Sequence, residues 1–207
     1  MTPSLTTMIL RRPRMLVLGT VVSAAVTLQA AALSRQQADL FQKKIDVIAR
    51  QGDARERAGT RRTPVTESEV NSWFAYRAQP LLPTGVANPQ ITIVGNGKVM
   101  GTVVVDVGAL AKEKSSGGTF DPLSYLGGRV PVSISGVLRT DAGRGQFDLE
   151  SADISGVPVP RAVLQEVLSH YSRTTDHPDG VRLDAPFELP AKIQKIEVGQ
   201  GQAVVVQ

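Results

Sequence analysis

Only two histidines, His170 and His177, occur in this chain, seven positions apart and beside Asp176 and Asp179 in a stretch of Pro and Gly. Zinc takes three or four protein ligands, often from HExxH, which is absent, so the pair reads as a surface turn before it reads as a metal site. A serine nucleophile would need an elbow such as GxSxG, and none occurs; the serines of "SISG" and "DISG" lie on the polar side of a period-two pattern. The glycine groups "GNG", "GRG" and "GQG" fall where hairpins must turn, and none has the GxxxxGK[ST] spacing that cradles phosphate. Four carboxylates, Asp106, Asp148, Glu150 and Asp153, sit on strand-like sequence. A hydrolase would need two of them to converge at about 5 to 9 Å, as in glycosidases. The absence of cysteine excludes disulfides, thiolate metal sites, a cysteine nucleophile and a lipidated cysteine. The chain therefore reads as non-enzymatic, with no cofactor or metal.

What remains is apolar. The one tryptophan, Trp73, stands with Phe74 and Tyr76 on one helical turn of an aromatic-poor sequence. Buried aromatics cover about 150–250 Å² each, so packing is their first role. The second role open to them is that of a wall. Trp73, Phe74, Phe120, Leu126, Leu164, Leu168 and Tyr171 are the candidate lining of a groove for lipid or another hydrophobic molecule. Val103, Val105, Val132 and Ile134 would face that groove from a sheet.

The elements that would position them follow from periodicity. "SRQQADLFQKKIDVIAR", Ser34 to Arg50, spaces Leu40, Phe41, Ile45 and Ile48 as one face of an amphipathic helix, with Ser34 as N-cap. The arginine-rich stretch after it, up to Pro64, has linker composition and reads as a solvated connector. Thr66 and Glu69 form a capping box that opens the aromatic helix, which Pro80 and Pro83 end. From Pro89 the period is two. A hairpin about Asn96-Gly97 is followed by a second about Asp141 to Gly143. Between them, Phe120 to Leu126 forms an apolar cluster suited to a short helix or flap. "PVPRAVLQEVLSHYSR" is the clearest helix, and the chain closes in strands turning at Gly199 to Gly201. The order is helix, helix, hairpin, hairpin, helix, hairpin. This predicts an α+β fold with a strongly curved antiparallel sheet of hairpins packed around or against one or two helices.

Arg11, Arg12 and Arg14 precede the apolar run "MLVLGTVVSAAVTLQAAAL", which ends in small residues at Ala30 to Ala32. This is the pattern of an export signal, and the run is also nearly the length of about 20 residues that spans a bilayer. Met8 and Met15 are alternative starts. Three segments result: residues 1–32 as signal peptide or membrane anchor, 33–64 as amphipathic helix and basic linker, and 65–207 as the curved-sheet domain. Without the leader's three arginines, 20 of the 23 basic residues stand against 19 acidic ones, so the formal charge drops from +4 to +1. That excludes the nucleic-acid reading which the whole-chain charge invites. The expected location is the periplasm, free or anchored to the outer face of the inner membrane.

Three short motifs carry a family resemblance: "VTESEVN" from Val65 to Asn71, "GVPVP" from Gly156 to Pro160, and the closing F-x-LP-x-x-I-x-x-I-x-V from Phe187 to Val198. Together they resemble bacterial exported proteins related to the tubular lipid-binding (TULIP) superfamily, from Val65 onward. The resemblance implies a half-barrel in which a curved antiparallel sheet wraps a long helix and holds lipid. The chain departs from the clearest tubular members in its shorter helix and its Ser- and Thr-rich strands. Two functions are carried forward: an exported binder of lipid or another hydrophobic ligand, with possible contact to a membrane surface, or a structural and interaction module of the envelope with a closed core.

Overall fold

The computed structural model describes residues 33–54, 59–109, 128–173 and 178–207, with the side chains of all of these except residues 170 and 171. The leader, Phe120, Leu126 and His177 lie outside the described residues. The chain is α+β, with two antiparallel sheets.

Two helices come first, joined through a strand. Ser34 caps α1 (Arg35–Asp53), its hydroxyl accepting from Gln37 N. Strand β1 (Arg62–Thr66) leads directly into α2 (Glu67–Tyr76), where the Thr66/Glu69 capping box is closed in both directions. The expected connector is thus shorter than its composition indicates: α1 continues to Asp53, and Arg62 to Pro64 are drawn into β1 by pairing with β9. Ala38 of α1 and Ser72 of α2 have no exposed surface, and side chains this small allow close approach of the helices. Ser72 Oγ also accepts from the N–H of Ser34, tying the start of α1 to α2.

The larger sheet runs β2 (Val86–Gly95), β3 (Lys98–Asp106), β4 (Arg129–Asp141), β5 (Arg144–Ile154) and β6 (Val157–Pro158), with β7 (Phe187–Glu188) also paired to β5. The smaller sheet has the order β1-β9-β8, with β8 (Lys195–Val198) and β9 (Gln202–Val206). Helix α3 (Arg161–Ser172) follows β6. Asn96-Gly97 makes the first hairpin with both residues at positive φ, 53° and 82°, the mirror-image turn that matches strand twist. The second uses Ala142-Gly143 at 48° and 81°. A left-handed alanine is strained by about 1–2 kcal/mol, which the long β4–β5 ladder outweighs.

Register fixes which residues share a face. Ile91, Gly101, Ile134 and Ala152 form one cross-strand row, and Val103, Val132 and Ile154 the next, on the same side. The opposite side carries Met100, Ser135 and Ser151, then Thr102, Ser133 and Asp153. One face is apolar and the other polar, as period-two sequence requires. The two sheets join where Thr140 of β4 meets Ile196 of β8: its hydroxyl accepts from Ile196 N at 2.8 Å and donates to Ile196 O at 2.9 Å.

Candidate functional site

An apolar groove of about 530 Å³ lies between β5, α3 and the strap that follows α3, residues 178–187. Its wall is built from Phe147 of β5, Leu168 of α3, and Val181, Leu183, Ala185 and Phe187 of the strap. The register sets Phe147 opposite Leu138, on the same sheet face as Ile134. The groove therefore opens on the apolar side of the larger sheet.

Glycines seat both phenylalanines. A β-carbon added at Gly136 would lie 2.6 Å from Phe147 Cζ and 2.5 Å from Asp148 O, so the ring takes the room that a side chain on β4 would need. Gly145 does the same for Phe187, whose ring atoms would lie 2.6 Å from an added β-carbon. Glycine in a strand interior commonly marks such close approach.

Polar bonds hold the strap to α3. Gln165 donates from Nε2 to Val181 O at 3.1 Å and accepts at Oε1 from Leu183 N at 2.8 Å. Val181 N donates to Ser172 Oγ at 2.6 Å. Gly180 runs so close to α3 that a β-carbon there would lie 2.1 Å from Ser169 O. These bonds use the strap's backbone. Val181 and Phe187 are 51% and 45% exposed, and Val163 of α3 is 48% exposed.

The sequence-predicted wall residues separate into three groups. Leu168 lines the groove; Leu164 is half-buried on α3 but is not among the lining residues. Trp73 and Phe74 belong to the α1–α2 seam. Trp73 stacks edge-on with Phe41 and Phe74, at centroid separations of 5.9 and 5.7 Å, and its Nε1 donates to Gln42 Oε1 at 2.7 Å. Phe120, Leu126 and the side chain of Tyr171 lie outside the described residues. Phe147 and the strap were not expected at the site. Their signals were a lone aromatic on an apolar strand position and the alternation of Val181, Leu183 and Phe187 with polar or small residues after Pro178.

The seam itself is well determined. Glu69, 5% exposed, accepts from Lys44 Nζ at 2.7 and 2.8 Å and from Thr66 N at 2.9 Å, while Lys44 also donates to Pro64 O. Glu67 and Asn71, on the next turns of α2, bond the backbone of β2. The "VTESEVN" motif thus has a structural use at each of its polar positions except Ser68, whose hydroxyl meets Thr66 Oγ1 at 3.2 Å.

Of the four strand carboxylates, Asp148 pairs with Arg139 at 3.0 Å, Glu150 with Lys98 at 2.6 Å, and Asp106 accepts from Ala109 N at 3.0 Å. No group of three His, Cys, Asp or Glu residues that could hold a metal occurs among the described residues. Among the same residues no helix is long and apolar enough to cross a membrane. Comparison with protein-family models, curated proteins and solved structures finds no match for this chain.

Proposed function

We propose that the protein is an exported binder of lipid or another hydrophobic molecule, taken up in the groove between β5, α3 and the strap. The observation that carries this reading is the groove itself: about 530 Å³, with aromatic and aliphatic side chains around it. Small-molecule sites are concave and mostly apolar, of about 300–1,000 Å³, with few polar groups. Binding would draw on apolar area removed from water, about 25 cal/mol per Å². The leader supports export, and the exposed Val181 and Phe187 of the groove wall would offer apolar surface for transient contact with a membrane. The resemblance of the three short motifs is what would make it a half-barrel carrier of the tubular lipid-binding kind.

Native mass spectrometry and lipid extraction of the gently purified full chain test the proposal. The expected result is co-purifying hydrophobe, or uptake of added lipid, that is lost in Leu168→Glu while circular dichroism is unchanged. A chain that arrives empty and takes up no amphiphile overturns it. The second reading, a structural envelope module, draws on the α1–α2 seam, whose stacked aromatics and part-buried ion pair suit a packed core.

A further inference from the structure

The groove wall contains one charged residue, Arg182, and its charge is incompletely matched. Arg182 Nε lies 4.0 Å from Asp184 Oδ1, at the limit of an ion pair, and Asp184 Oδ2 is 3.6 Å from Arg161 Nη2. Among the described residues, two guanidiniums thus share one carboxylate beside the groove, and Glu166 and Asp179 pair with neither arginine. The Arg182 side chain is 74% exposed, so its donors remain open to a ligand. An arginine fork matches a carboxylate or phosphate through two parallel hydrogen bonds.

Resting on the groove reading above, we propose that the natural ligand is a single-chain amphiphile with an anionic head group. Its tail lies along Phe147, Leu168, Leu183 and Phe187, and its head is held by Arg182 with Arg161 behind it. The groove, about 530 Å³, is within the size range of sites that take one small molecule, which a single acyl chain meets. The head supplies the second anion that the Arg161–Asp184–Arg182 cluster lacks. A carboxylate and a phosphate monoester or diester share this chemistry.

Calorimetric titration of the full chain tests the assignment with palmitate, lysophosphatidylglycerol, the neutral monopalmitoylglycerol and the two-chain dipalmitoylphosphatidylglycerol, the single-chain probes kept below their micellar concentrations. At least one anionic single-chain probe should bind about fivefold or more tighter than monopalmitoylglycerol, as one charge-assisted contact at a partly exposed site allows. Preference for palmitate or for the lysolipid identifies the head as carboxylate or phosphate. Arg182→Gln should erase the advantage, read as the ratio of anionic to neutral affinity within each variant, and Asp184→Asn, which removes the competing carboxylate, should increase it. Equal affinity for neutral and anionic single-chain probes would overturn the anionic head while leaving the groove reading intact. Tighter binding of the two-chain lipid would overturn the single-chain assignment. If no probe binds, the groove reading fails and this inference fails with it.

Discussion

Asn71 of α2 completes the outer edge of β2 at a single residue, Ile91: its Nδ2 donates to Ile91 O at 2.8 Å, and its Oδ1 accepts from Ile91 N at 2.7 Å. Two residues further along, Glu67 accepts from Ile93 N at 2.7 Å. An exposed strand edge is a template for unwanted pairing, and here helix side chains occupy it. Replacing Asn71 by Leu should orphan one donor and one acceptor and destabilise the fold by about 2–4 kcal/mol, taking about 1–2 per group, the lower part of the usual range, because the sites are part-buried. Urea unfolding measures the loss. Asn71→Asp, which keeps the acceptor alone, should fall between the two.

The Lys44–Glu69 pair makes a second stability prediction. Glu69→Ala removes the reciprocal half of the capping box and leaves the Lys44 ammonium facing a part-buried site. The loss should be about 2–3 kcal/mol, below the 3–5 typical of a fully buried pair because Lys44 retains access to water. A change under about 0.5 kcal/mol by denaturant titration would mean that solvent replaces the carboxylate freely.

Trp73 separates packing from binding. Trp73→Ala should destabilise by about 3 kcal/mol, near the low end for a large aromatic because the side chain is half-buried. Trp73→Phe should fold and take up hydrophobic ligand as the parent does, since the groove wall does not include this residue. Loss of uptake in the folded Phe variant would move the site to the α1–α2 seam.

Gly136 is where the groove and the sheet depend on one another. Gly136→Ala must displace Phe147 or the β5 backbone, and overpacking of this kind is destabilising by about 1–3 kcal/mol. Gly145→Ala should be milder, because the Phe187 ring it meets is part-exposed and free to swing outward. Thermal melts of the two variants give the order directly.

One ion pair links the two outer strands of the smaller sheet across β9. The hydrogen bond from Arg62 holds the Glu197 carboxyl below the usual carboxylate range, helped by the charges of Arg62 and Lys195 and opposed by partial desolvation. With the folded value lowered, its contribution is present above the ordinary carboxylate value of about 4.3 and disappears as pH falls through the lower folded value. Glu197→Gln should therefore reduce stability slightly at neutral pH and make no difference in strong acid. Both groups are solvent-exposed, so the neutral-pH effect is small.

Local signals carried the sequence reading far. Ser34, the Thr66/Glu69 box and Asn96-Gly97 each encode their own cap or turn, and each occurs where short-range chemistry places it. The larger sheet's hairpins follow from period-two alternation closed by such turns. Strand β1 was hidden because its partner β9 lies about 140 positions away: Arg62 pairs with Val206 and Thr66 with Gln202. Composition around Arg61 and Arg62 signals a connector, and only a distant strand turns it into sheet. The groove was legible only in part. Leu168 has the helical spacing of an apolar stripe, whereas Phe147 is seated by Gly136 on the neighbouring strand, a relation that no window of sequence contains. Trp73, the single tryptophan, packs on Phe41 and bonds Gln42 of α1, partners more than thirty positions away.

The β1–β9 pairing has a consequence for how the molecule is made. A helix pair at one end of the chain is locked to a sheet whose central strand is Gln202–Val206, so the smaller layer cannot assemble until that segment has been synthesised. Contacts so remote in sequence raise the entropic barrier and slow the final closure. During that interval α1, α2 and the open side of β2 await their last partner, and a chain in that condition is the one a chaperone would have the longest opportunity to hold.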